Sequence, residues 1–151
     1  MQNNVYLPAP LVPVKIKLGE GIYLVKRQSV VLPNAIDHYA VIVVGKLLLH
    51  LGFSEELPLV FHLTDEGIRV DWLETSGSWQ VLGGVHPTQR INAITRLKSA
   101  YNNPNYNLFS NNCEQFARFV TEGYKQSVQL QNAALFSVGV IGMILWANSE
   151  Q

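Results

Sequence analysis

The residues able to do nucleophilic chemistry in this chain are few: one cysteine, Cys113, and four histidines, His38, His50, His62 and His86. A thiol beside an imidazole can form a covalent acyl intermediate, provided a third group orients the imidazole. Asn111-Asn112-Cys113-Glu114 reads as a helix start, with Asn111 as the cap and Glu114 closing a capping box. Cys113 then falls in the first turn. The helix end there favours thiolate over thiol, and unpaired backbone N–H groups can hold an oxyanion. The bland alternative is a buried cysteine acting as a small hydrophobe.

His38 opens the most apolar strand of the sequence, 38–44, and His50 ends the segment expected to return beside it, 47–51. Two histidines on one hairpin suggest a pair working on the thiol. His62, one strand further on, is the reserve candidate, and His86, before Pro87, reads as a solvated loop residue. Register decides whether His38 and His50 meet. A two-residue turn at Gly45-Lys46 pairs His50 with Val41 and sends the histidines to opposite faces. A three-residue loop pairs His50 with Ala40, and the histidines become diagonal neighbours on one face, roughly 7–8 Å apart. A metal site of His38, His50 and His62 is a weaker reading, since no carboxylate lies at a matching position.

These side chains need a scaffold. Lys15 to Lys26 alternates and is rich in Val, Ile and Tyr, which predicts strands at 14–17 and 21–26 around a Gly19–Gly21 turn. A hairpin is expected at 58–63 and 67–73, around Asp65-Glu66-Gly67, and a short strand at 79–82 before Gly83-Gly84. The period then changes. Ile91, Ile94, Leu97 and Tyr101 share a helical stripe, so a helix is expected over 88–100, after Pro87. An asparagine-rich loop around Pro104 leads to a second helix over 112–122, with Phe116, Phe119 and Val120 inward and Gly123 as its stop. Strands first and helices after predict an α+β fold with an antiparallel sheet packed with helices.

Composition narrows the function. The chain has 151 residues, 48% of them hydrophobic and 15% charged, with 11 basic and 11 acidic side chains. Such a length suits one domain with a sizeable core, and the apolar balance argues against a disordered chain. A formal net charge of zero argues against a nucleic-acid partner. A single cysteine excludes an internal disulfide or a multi-cysteine metal centre.

At this point the motifs carry a resemblance. The run from His38-Tyr39-Ala40-Val41-Ile42-Val43-Val44-Gly45 to His50 resembles the first motif of the lecithin:retinol acyltransferase family, with its second histidine twelve residues after the first. Asn112-Cys113-Glu114-Gln115-Phe116, ending at Gly123, resembles that family's cysteine motif, and Gly19-Glu20-Gly21-Ile22-Tyr23 is similar to its opening strand. The chain departs from the pattern at Gln115, where a histidine is usual, and at the Val44-Gly45-Lys46 turn. The resemblance implies a circularly permuted papain-like fold, shared with bacterial cell-wall cysteine peptidases. It implies Cys113 as nucleophile, His38 as general base and His50 as the group that orients His38, with no cofactor. The implied activity is a thiol-dependent acyltransferase or phospholipase-type hydrolase that forms a thioester on Cys113 from a lipid acyl donor. Two other readings stand beside it: a cysteine peptidase or amidase of the cell-wall type, and a non-catalytic membrane- or partner-binding protein.

The ends of the chain differ from its middle. Pro8, Pro10 and Pro13 make 1–13 an extended arm, with no basic start and apolar run of the secretory kind. The catalytic domain is expected over 14–124, followed by a linker and apolar segment over 125–151. From Ala133 to Ala147 there is no charge. Fifteen helical residues span roughly 22 Å, short of a hydrocarbon core of roughly 30 Å. Residues 133–147 are accordingly expected as an apolar C-terminal helix, a buried core or dimer helix in one reading and a membrane anchor in the other. The second reading makes the protein membrane-associated, with its catalytic domain cytoplasmic.

Overall fold

The computed structural model describes residues 17–28, 37–54, 57–103 and 112–124. The N-terminal arm, nearly all of the strand expected at 14–17 and the apolar segment 133–147 lie outside these residues. Among the described residues, five strands form one antiparallel sheet: β1 (Gly21–Gln28), β2 (Asp37–Val44), β3 (Leu59–Thr64), β4 (Gly67–Trp72) and β5 (Gln80–Gly84). Their order across the sheet is β4-β3-β2-β1-β5. Two helices follow in sequence, α1 (Arg90–Tyr101) and α2 (Cys113–Glu122). The α+β expectation, with an antiparallel sheet and helices, is what the structure shows.

Alternation along each strand sorts the side chains onto two faces. Ile22, Leu24, Tyr39, Val41, Val43, Leu59, Phe61 and Leu63 project to one face, where α1 and α2 cover them with Ala93, Ile94, Leu97, Phe116, Ala117 and Val120. The opposite face carries a smaller cluster of Val25, Ala40, Ile42, Val60 and Trp79. β2 lies at the centre and is buried on both faces. That explains why its sequence is a continuous apolar run rather than an alternating one.

The segment after β2 corrects one expectation. Residues 47–51 do not return as a strand; Gly45–Leu51 is a 3-10 helix. A strand would send Leu47 and Leu48 to opposite faces, yet both are buried while Leu49 and His50 are exposed. Burial of adjacent residues suits a tight helical turn, not a half-buried ribbon. Gly45 opens this turn at φ +81°, where a Cβ would lie 2.8 Å from Glu20 Cγ. Gly52 closes it at φ 84°, its N–H donating to the carbonyls of Leu48 and Leu49. The partner of β2 is therefore β3, which pairs Val43 with Leu59 and Ala40 with His62. The β3–β4 hairpin turns at Asp65-Glu66, as expected, with Thr64 opposite Gly67.

The packing centre makes a direct test. Phe61 is fully buried, with its ring 5.8 Å from Phe53 and 6.0 Å from Tyr101 between centroids. Phe61→Ala is expected to cost about 3–5 kcal/mol of unfolding free energy. Leu49→Ala, at a side chain 57% exposed, is expected to cost less than about 0.5 kcal/mol. Urea unfolding of the two variants checks the contrast.

Candidate functional site

Cys113 is the first residue of α2, and the cap before it is Asn112. The Asn112 side chain accepts from the Gln115 N–H at 2.8 Å, and the Gln115 side chain accepts from the Asn112 N–H at 3.3 Å. This is a capping box one residue later than the Asn111–Glu114 pairing expected from sequence. Glu114, freed from that role, is fully buried and accepts from Arg118 Nε at 3.0 Å, one helical turn on. Gly123 ends the helix at φ 85°, its N–H bonding the carbonyls of Arg118 and Phe119, as its position predicted.

The thiol packs against the cluster on the helix-covered face. Its S–H points to the Asp37 carbonyl, with Sγ 3.8 Å away. Burial pushes the Cys113 thiol above its ordinary pKa, and the Glu114 carboxylate adds to this. Hydrogen bonds to Sγ from the backbone N–H groups of Tyr39, Glu114 and Cys113 itself oppose the rise without cancelling it. Position at a helix start was expected to favour thiolate; desolvation outweighs that contribution here.

His38 lies between the two peptide units that touch the sulfur, but its side chain leaves β2 on the other face. There it meets His62 rather than His50. His38 Nε2 is 3.0 Å from His62 Nδ1, and the two rings meet edge to face with centroids 5.2 Å apart. The register explains the meeting. His62 is directly opposite Ala40, so His38 and His62 are diagonal neighbours on one face. That is the placement expected of His50 through a three-residue loop. His50 instead lies near the end of the 3-10 helix, exposed, and has no contact with either ring. His86 is exposed as expected, its Nδ1 3.4 Å from the Thr88 N–H before α1.

Sequence reading did not identify Asp71. Its Oδ2 lies 2.8 Å from His62 Nε2, and its Oδ1 accepts from Arg69 Nε at 2.9 Å. The available signal was hairpin arithmetic: the turn at Asp65-Glu66 puts Arg69 opposite His62 and Asp71 opposite Val60, both on the histidine face. Burial works against ionisation of Asp71, yet hydrogen bonds from His62 and Arg69 and the Arg69 charge hold its carboxyl below the usual range.

A carboxylate is an acceptor only, so the network assigns the protons in sequence. Asp71 takes the His62 Nε2–H, which leaves His62 Nδ1 as an acceptor. His38 then donates its Nε2–H to that atom, and His38 Nδ1 keeps a lone pair. Nδ1 has no hydrogen-bond partner among the described residues. Trp79 closes over both rings, 5.9 Å from His38 and 6.4 Å from His62 between centroids. The guanidinium of Arg27, the residue opposite His38 on β1, stacks 4.4 Å from the Trp79 ring. Burial, then the nearby His62 and Arg27, push His38 down to about 4.

A cleft of about 290 Å³ opens beside this group. Lys26, Arg27, Gln28, Asp37 and Gln80 line it, with Trp79 as one wall. Lys26 and Asp37 form an ion pair across it at 2.7 Å. Among the described residues no group of three or more His, Cys, Asp and Glu side chains is placed to hold a metal ion. Comparison with protein-family models and with curated proteins gives no match.

Two outcomes follow from the proton inventory. His38 binds its proton more weakly folded than unfolded, so its contribution to stability is present above pH 6.5 and lost as pH falls toward about 4. Denaturant midpoints between pH 7 and pH 4 are expected to fall with a steeper slope in the wild type than in His38→Gln. The thiol, held neutral by burial, is expected to react slowly with iodoacetamide near pH 6 and to gain rate only as pH climbs past about 8.5, the ordinary thiol value. Alkylation followed by intact mass checks this; fast labelling at pH 6 contradicts it.

Proposed function

We propose that the protein is a thiol-dependent acyl-transfer enzyme of the lecithin:retinol acyltransferase type, on the permuted papain-like fold that the sequence resemblance implies. Cys113 is the nucleophile, His38 the base and His62 the group that orients it. The observation that carries the reading is the Asp71–His62–His38 chain. It ends in a His38 Nδ1 that has no hydrogen-bond partner among the described residues, on the residue whose preceding carbonyl faces the Cys113 sulfur. In the sequence reading the third role belonged to His50. The proposal transfers it to His62, because His62 makes the hydrogen bond that the role requires.

The chemistry starts from a neutral pair. His38 Nδ1 takes the proton from Sγ as the sulfur attacks an acyl carbonyl carbon, and backbone N–H groups at the start of α2 steady the oxyanion. The bond from that carbon to the leaving oxygen or nitrogen breaks. The leaving group takes the proton back from His38, and a thioester stays on Cys113. Water or an alcohol or amine then attacks the thioester, giving hydrolysis or transfer. No hydrogen bond joins Sγ to the ring. The proposal therefore includes a side-chain rotation at Cys113, or one bridging water, when substrate enters, with His38 kept on its hydrogen bond to His62. Catalytic contacts commonly tighten only in the substrate complex.

A lipid donor is what the resemblance implies, and the apolar segment 133–147 is its proposed membrane contact. Among the described residues no helix is long and apolar enough to cross a membrane. A second donor class stays open: the cleft beside Trp79 is lined by polar and charged residues whose stems also present apolar surface. A peptide or amide, as a peptidase or amidase requires, fits such a lining as well as an acyl chain does. A buried neutral thiol, away from both rings, is also what a non-catalytic scaffold on this fold would show.

Intact mass separates these readings. Mixed with a short-chain phosphatidylcholine, the wild type is expected to gain an acyl-sized mass that Cys113→Ala does not. His62→Gln is expected to slow acylation at least about 100-fold, the usual scale for losing acid–base assistance, while His50→Gln leaves it unchanged. Loss in His50→Gln with retention in His62→Gln returns the role to His50. Acylation by peptide esters alone selects the peptidase reading, and no acylation by either donor selects the scaffold.

A further inference from the structure

We infer that Asp71 is a positioning residue that sets the tautomers of both histidines and thereby leaves the Nδ1 lone pair of His38 free to act as a base. Neither the motifs nor the resemblance names this residue. The inference deepens the enzyme reading, but its geometry stands without that reading.

The direction of donation decides which nitrogen of His38 stays bare. An imidazole with one proton is a donor at one nitrogen and an acceptor at the other, so each contact in a chain of imidazoles dictates the next. His62 has two contacts, to His38 at 3.0 Å through Nδ1 and to Asp71 at 2.8 Å through Nε2. Without Asp71 the His38–His62 contact is satisfied equally well in either direction. In one direction His38 donates Nε2–H and keeps Nδ1 bare. In the other His38 accepts at Nε2, and Nδ1 carries the proton and is useless as a base. An obligate acceptor on the far side of His62 selects the first. Asp71 is suited to that task because it is partly buried, with its side chain 23% exposed, while Arg69 occupies its second oxygen. Arg69 itself is 67% exposed and its Nε donates to the carboxylate, so its part is to hold the carboxylate and not to choose the tautomer.

Asp71→Asn is the informative change. It is nearly isosteric on a sheet-edge strand, and the new amide can donate to His62 Nε2 where the carboxylate only accepted. His62 then carries its proton on Nδ1 and turns the His38 contact around. Long-range proton–nitrogen NMR of the imidazole rings reads this without any substrate. In the wild type at pH 7 both His38 and His62 are expected to be protonated at Nε2. In Asp71→Asn both are expected to move to the Nδ1–H form, while Arg69→Gln keeps the wild-type tautomers. Wild-type His62 found in the Nδ1–H form, or tautomers unaltered in a folded Asp71→Asn, overturns the inference. Where acylation of Cys113 is measurable, Asp71→Asn is expected to slow it by about 100- to 10,000-fold, as wrong-tautomer variants of comparable triads do. An absence of acylation in the wild type bears on the enzyme reading alone, because the ring spectra answer the positioning question separately.

Discussion

The pairing of Ala40 with His62 is the contact on which the site depends. It places His62 on the face that His38 already occupies, within reach of a single hydrogen bond. It also brings the β3–β4 hairpin close enough for Asp71 to reach the second ring. A shift of one residue in this register would carry Leu63 or Phe61 to that position and His62 into the helix-covered core. The apolar pattern resists that shift. Leu59, Phe61 and Leu63 are all at most 3% exposed beneath the helices, so a slip would take three large side chains out of that core and put an imidazole in it. The core that stabilises the fold and the register that builds the histidine pair are therefore the same constraint.

Electrostatics on the two faces point the same way. The sulfur sits among N–H donors but is desolvated, and the His38 ring sits under Trp79 close to the Arg27 cation. Each group is biased toward its neutral form, the thiol by an upward shift and the imidazole by a downward one. A stored thiolate–imidazolium pair, the usual device of activated cysteines, is thus disfavoured at rest. Any reaction at Cys113 must move the proton as the new bond forms. That is general-base chemistry, and it depends more on the direction of the lone pair than on the resting charge.

Much of this was legible in the amino-acid order. β2 announces itself as an apolar run, the β3–β4 hairpin by Asp65-Glu66-Gly67, and α2 by an asparagine before Cys113 and a glycine at 123. The helix start at Cys113 was read within one residue because local capping chemistry decides it. The partner of His38 was not readable by the same means. The twelve-residue interval to His50 is a count along the chain, whereas a shared face is a matter of register. Leu47-Leu48-Leu49 is apolar enough to pass for a strand until burial shows Leu47 and Leu48 packed side by side in a helical turn. Asp71 was invisible for a related reason. A lone carboxylate in an otherwise ordinary hairpin carries no signal until the strand opposite it has been assigned.

The sheet itself sets the remaining demand on the chemistry. The sulfur and the imidazole approach one another from opposite faces at the first residues of β2, separated by the backbone of His38 rather than by a gap. At the interior of a sheet such a separation could not be crossed, because neighbouring strands and layers of packed side chains fill both faces. Here His38 and Cys113 are only partly buried, and the neighbouring Asp37 borders an open cleft. A rotation of Cys113 leaves the His38–His62 hydrogen bond and the packing of His38 on Trp79 in place, whereas a rotation of His38 breaks both. The Lys26–Asp37 pair beside His38 is of the partly exposed kind that contributes roughly 0–1 kcal/mol, so it places little constraint on movement at that end of β2.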